Sequence, residues 1–162
     1  MSENAVAAFF RLVEQNPSRA HFVGRQSESR IDLAEEALGL RFPPSYRTFL
    51  ETLGAGDIAG EEFFGIVSSN FLESGIPDSV WLTLRGRDQW SLPRSMVVVY
   101  FDGGTDYFAL DTARPNPDGE SPIVTWSPGR SRPGDDPPIV AADFGKFALS
   151  VATRALSPTG PS

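Results

Sequence analysis

Residues 31–66 read IDLAEEALGLRFPPSYRTFLETLGAGDIAGEEFFGI, and the fold turns on this stretch. Two short amphipathic segments flank the step Phe42-Pro43-Pro44. Ile31, Ala34 and Leu38 recur at helical spacing, Ser29 is placed to cap their helix, and Gly39 follows its end. Proline loses nothing at a helix start, where its missing N–H has no partner to find. The next helix is therefore expected from Pro44 to Leu53, with Tyr46, Phe49, Leu50 and Leu53 on its buried face. Gly54 stops it, Gly54-Ala55-Gly56-Asp57 reads as a turn, and 61–66 as a strand with Phe64 and Ile66 on one face.

Toward the N-terminus, Val6, Phe9, Phe10 and Val13 predict a helix over 3–15 that Asn16-Pro17 ends; 17–28 reads as a polar loop. Toward the C-terminus, Asp78 caps a helix carrying Val80, Trp81 and Leu84 and ending near Asp88. Met96–Phe101 is an unbroken β-favouring run. The turn Asp102-Gly103-Gly104-Thr105 joins it to a strand at Tyr107–Leu110, a hairpin signal. Ile123–Trp126 extends this to a meander. The segments between and after are rich in proline and read as loops. Asp143 caps a last helix that buries Phe144, Phe147, Ala148 and Val151. The order predicts one α+β domain over 1–156, with an antiparallel sheet of about four or more strands packed with helices, and a disordered tail over 157–162.

The chain has 162 residues, enough for a core without staples, and it contains no cysteine. No apolar run approaches the ~20 residues of a membrane span. The opening MSENAVAAFFRL lacks the basic start and long apolar core of a signal peptide, so a cytoplasmic location is expected. The net charge of −7 has the wrong sign for phosphate neutralisation, although Arg85, Arg87 and Arg94 lie close in sequence. Nucleic acid is therefore not expected as a partner, and neither is a membrane. Such acidity keeps a protein soluble, and it also suits a basic partner.

No motif carries catalysis. His21 is the sole histidine and sits in a polar segment, and one histidine without cysteine makes no ordinary structural zinc site. Asp102, Asp106 and Asp111 flank the glycine turn, but DGGTDYFALD has apolar residues where a calcium loop needs oxygen ligands. Glu61 and Glu62 are adjacent on a strand, so they face opposite ways and cannot flank one bond. Lys146 reads as a solvated charge. The glycines at 54–60 lack the Gly-Lys-Ser/Thr of a phosphate loop. Trp81, Trp90 and Trp126 are large aromatics of the kind that fill cores or stack on ligands. No catalytic residue, cofactor or metal is expected.

Taken together, Glu35, Leu38-Gly39, Phe42-Pro43, Tyr46, Phe49-Leu50, Gly54 and Gly56, then Glu62-Phe63-Phe64-Gly65-Ile66, resemble the signature of the SUKH superfamily, the Smi/Knr-type domain. Leu92-Pro93 before Val97–Val99, the turn Asp102-Gly103-Gly104, Tyr107–Asp111 and Asp143-Phe144 with Phe147 are similar to the family as well. The resemblance covers about residues 28–152. Phe42 stands where the family often has leucine, and Leu53-Gly54-Ala55-Gly56 where it often has Asn-Gly.

The resemblance implies an α+β fold without catalytic residues. Many bacterial members are immunity proteins that neutralise a cognate toxin, often a nuclease or deaminase, and other members regulate cell-wall synthesis. The expectation is therefore a non-catalytic protein that binds a toxin domain. A regulatory interaction module is the alternative, and a carboxylate hydrolase a distant third. The acidic and aromatic residues Asp57, Glu61, Asp102, Asp106 and Trp126 are the expected partner contacts, on the expectation that they are exposed.

Overall fold

The computed structural model describes residues 2–157, with side chains from Ala5 onward. The expected tail beyond Ser157 lies outside the described residues. Helices are α1 (Ser2–Gln15), α2 (Glu28–Leu38), α3 (Pro44–Thr52), α4 (Ser79–Gln89) and α5 (Phe144–Leu156). Strands are β1 (Ala20–Phe22), β2 (Gly56–Ile58), β3 (Glu61–Phe63), β4 (Met96–Phe101), β5 (Tyr107–Asp111), β6 (Ile123–Trp126) and β7 (Ile139–Ala141). The seven strands form one antiparallel sheet whose spatial order is the chain order. This is the expected α+β architecture.

The deciding stretch folds largely as read, except that the expected turn at Gly54–Asp57 runs into strand β2 and that two elements shift. Ser27, not Ser29, caps α2: its backbone is extended and its hydroxyl accepts from the Arg30 N–H at 3.2 Å, while Ser29 already lies in the first turn. Gly39 ends α2 at φ 70°, a conformation open to glycine, and its N–H returns to the Glu35 and Glu36 carbonyls. Glu35 then accepts from the Phe42 N–H at 2.7 Å and from Arg47 at 3.0 Å, which fixes the extended step between the helices. The second shift is in the strand expected over 61–66. It ends at Phe63; Phe64 turns to one side of the sheet and Ile66 to the other. Gly65 between them is obligatory, because a Cβ there would lie 1.7 Å from the Gly54 carbonyl oxygen.

The central sheet is buried on both faces, which explains the continuous run Met96–Phe101. Val97, Val99, Leu110 and Ile123 face an aromatic core built with Phe9, Tyr46, Phe49, Phe63, Phe144 and Phe147. Met96, Val98, Ala109, Val124 and Trp126 face a second cluster with Phe64, Leu82 and Leu92. Val99 is an extra residue between the pairs Val98–Ala109 and Tyr100–Phe108, a bulge that sends Val99 and Tyr100 to the same side. Since β3 pairs with β4 only at Phe63–Tyr100, the edge of β4 at Val98 is covered by α4 instead. There Thr83 Oγ1 accepts from the Val98 N–H at 3.0 Å and Ser79 Oγ donates to its carbonyl.

Buried carboxylates hold helix starts: Asp143, 2% exposed, caps α5, and two others act at α4 and α3. Asp78, with no exposed surface, caps α4 by accepting from the Trp81 N–H at 3.0 Å, and its Oδ2 finds no partner among the described residues. Burial pushes its pKa up, against the hydrogen bonds that pull it down. Between the ordinary aspartate value and this raised one, the native state holds a proton that the unfolded chain has released. Stability from this group is therefore full below the ordinary value and is lost as pH rises through the raised one. Asp78→Asn keeps the capping oxygen and removes the buried charge. We expect it to match or exceed the parent in urea midpoint at pH 7, and the difference to move against the variant by pH 4. Asp78→Ala, which loses the cap, should cost about 1 kcal/mol. The second carboxylate, Glu120, accepts from the Ser45 N–H at 3.0 Å and from its hydroxyl at 2.8 Å, and the same hydroxyl accepts from the Gly145 N–H at 3.3 Å.

Candidate functional site

The acidic residues expected to meet a partner start on β2 and β3. Cross-strand register sets His21, Asp57 and Glu62 side by side on one face of the sheet. His21 Nδ1 lies 3.1 Å from Asp57, exposed and with no Ser or Cys bonded to it, so the pair is not part of a nucleophilic triad. Burial and then the Asp57 charge push the Glu62 pKa up. Glu61 takes the opposite face, as alternation requires, and accepts from the Tyr100 hydroxyl at 2.6 Å. Burial raises the Tyr100 pKa, and the bond to Glu61 and the Asp102 charge raise it further, with Arg154 opposing. Tyr100 thus stays protonated and donates to Glu61.

Asp102 is exposed in the β4–β5 turn, where Oδ1 accepts from the N–H groups of Gly104 at 2.8 Å and Asp106 at 3.3 Å. Asp106 is half-buried and accepts from the Ser127 hydroxyl, which ties the turn to the end of β6. Trp126 corrects an expectation: it is 1% exposed, on the second core cluster, and offers no surface to a partner. The strand alternation that turns Val124 inward turns Trp126 inward too. Of the five expected contacts, Glu61 and Asp102 converge on Tyr100. Asp57 lies on the other face, and Asp106 is committed to the turn.

Sequence reading did not anticipate what lies beside Tyr100. A hollow of about 240 Å³ opens between the sheet and α5. Tyr100 and Phe108 form its floor, Phe147 and Val151 its wall, and Asp102 and Arg154 stand at its rim. Val140 of β7 lines one side and is 47% exposed, and neighbouring Ile139 is 57% exposed. The signal was present in the spacing Phe147–Val151, one helical turn apart, but only the packing shows that the sheet leaves this part of the helix face uncovered. A wider, open depression of about 860 Å³ runs along α2 and the start of α3. Its Arg47 is already tied to Asp32 at 3.1 Å and Glu35 at 3.0 Å. Among the described residues no group of His, Asp and Glu is arranged to hold a metal ion, and no helix is long and apolar enough to cross a membrane. Lys146 is exposed, as a solvated charge is expected to be.

The SUKH_6 model, described as SMI1-KNR4 cell-wall, matches residues 28–147. The chain belongs to this SUKH family. The match runs from the first residue of α2 into the first turns of α5. Helix α1, strand β1 and the Val151 and Arg154 side of the hollow lie outside it. Among solved structures, this SUKH chain is similar to a protein from Pseudomonas syringae pv. tomato, at 17% identity and a TM-score of 0.53, over 72% of this chain and 82% of that one. That likeness concerns the fold.

Proposed function

We propose that this SUKH protein is a cytoplasmic immunity-type protein that binds a cognate toxin domain, a nuclease or deaminase among the candidates, and blocks it without catalysis. The observation that carries the reading is the pairing of family membership with an acidic, partly apolar margin. Glu61 and Asp102 flank Tyr100 on a chain of net charge −7. Nuclease domains meet nucleic acid with basic surfaces, and opposite charge speeds encounter with a basic protein. The carboxylates of the margin are held by their own hydrogen bonds, Glu61 by Tyr100 and Asp102 by the turn, which suits a recognition surface better than proton transfer.

Co-expression with a toxin domain from a neighbouring gene is expected to restore growth, and the purified pair to associate more weakly as salt is raised. Neither rescue nor association would overturn the reading for that pair. The alternative, a regulatory interaction module, draws on the mention of the cell wall in the family's description. It expects neighbouring genes for wall synthesis or signalling instead of a toxin.

A further inference from the structure

The hollow beside Tyr100 is too small for an ordinary cofactor, whose pockets begin near about 300 Å³. Its walls are aromatic and aliphatic, and its depth is set by Phe108 and Phe147, whose rings stack at 5.5 Å. The exposed Val140 extends the apolar lip outward on β7. Asp102 stands exposed at the rim and Glu61 lies beside Tyr100, whereas Asp136, just before β7, is already paired with Arg114 at 2.9 Å.

Strand addition is a poor use of this edge. β7 has three residues, follows Pro137-Pro138, and carries a bulge at Val140, between the pairs Val124–Ile139 and Ile123–Ala141. All three features discourage a further strand. A second copy of the chain is also a poor occupant, because two molecules of charge −7 would bring like rims together. We infer that the hollow takes one large apolar side chain from a basic segment of a protein partner, with flanking Lys or Arg residues facing Asp102 and Glu61. Arg154, on the α5 side, donates to a main-chain carbonyl of the same segment. This rests on the reading of the chain as a partner-binding protein, and names the point of attachment and the chemistry of what attaches.

The probe is a blocked peptide, Lys-Arg-Trp-Arg-Lys, titrated into the isotope-labelled protein and followed by NMR. The expected result is saturable shifts centred on Tyr100, Val140 and Val151. Replacing the peptide's Trp by Ser, or its basic residues by Glu, should weaken binding at least about ten-fold. Val140→Lys, at an exposed position, should weaken it by a similar factor. Asp102→Asn keeps the turn's Oδ1 acceptor and should weaken it about three-fold while flattening the salt dependence. No binding tighter than about 1 mM, shifts elsewhere only, or indifference to the Trp and to Val140→Lys would each overturn the proposal. The toxin domain separates this from the functional reading. If it binds the parent and both variants alike, the hollow is excluded and the immunity role stands. If it does not bind the parent, the immunity role fails whatever the peptide does.

Discussion

Replacing Phe49 by alanine is expected to cost about 4 kcal/mol, the largest loss from any single truncation considered for this chain. Phe49 has no exposed surface and sits on α3 at the middle of the aromatic core. Its ring meets Phe144 at 5.0 Å, Tyr46 at 5.9 Å, Phe22 at 6.2 Å, Phe9 at 6.3 Å and Phe63 at 6.4 Å. These neighbours come from α1, α3, α5, β1 and β3, so the void opens where five elements meet. Rings held from several directions cannot all move inward, and the cavity term adds to the lost burial. Against a total stability of roughly 5–15 kcal/mol for an ordinary domain, this is a large fraction. Urea denaturation should show a large drop in midpoint with little change in slope. Phe49→Leu, which keeps most of the volume, should lose less than half as much. Equal losses for the two would mean that the ring is not buried at the centre of the core.

Glu120→Ala is expected to cost about 3 kcal/mol, which is unusual for a glutamate in a proline-rich loop. The side chain is 1% exposed, and its two oxygens hold the N–H and hydroxyl of Ser45 at the start of α3. Pro43, at the cap position of that helix, supplies no side-chain acceptor. Glu120 provides one from 75 residues away and adds a negative charge at a helix N-terminus, where it is favoured. Ser45 in turn accepts from Gly145 in the first turn of α5, so one carboxylate fixes two helix starts. Truncation strands a buried amide and frees a hydroxyl, and the cost lies mainly in those unpaired groups. Glu120→Gln retains one acceptor and should fall about midway. Ser45→Ala combined with Glu120→Ala should cost less than the sum of the two, because the residues share one network. Full additivity would break the proposed link.

What the sequence disclosed and what it withheld divide along a physical line. The helix faces of α2, α3 and α5, the caps Asp78 and Asp143, and the strands β4, β5 and β6 rest on patterns within a few residues of one another. They were legible because the causes are local. β1, β2 and β7 carry no such local signal. Ala20-His21-Phe22 sits in a polar segment, Gly56-Asp57-Ile58 looks like a turn, and Ile139–Ala141 follows two prolines. Each has three residues, too few for alternation to show, and each is a strand because a partner strand is beside it. The same line runs through the candidate site. Glu61 and Asp102 are acidic residues near turns, which the sequence shows directly. The aromatic character of Trp126 does not reveal the direction it faces on β6. The hollow needed Tyr100, Phe108 and Phe147 to be juxtaposed from three elements. Glu120 gave no hint of Ser45, because nothing near it in sequence asks for a buried charge.

The strand order has a consequence for how the molecule is assembled at the ribosome. Strands that lie side by side in the order of synthesis can be added one at a time, each newly made strand finding its neighbour already present. From β4 to β7 the links are short enough that this needs little waiting, and the sheet can grow from one edge as the chain emerges. The helical layer cannot be finished in that way. Helix α1, the first element made, packs most extensively on α5, the last. Much of the apolar face of α1 therefore stays uncovered until α5 has been made, and it is during that interval that a trailing chaperone or a wrong partner has its opportunity.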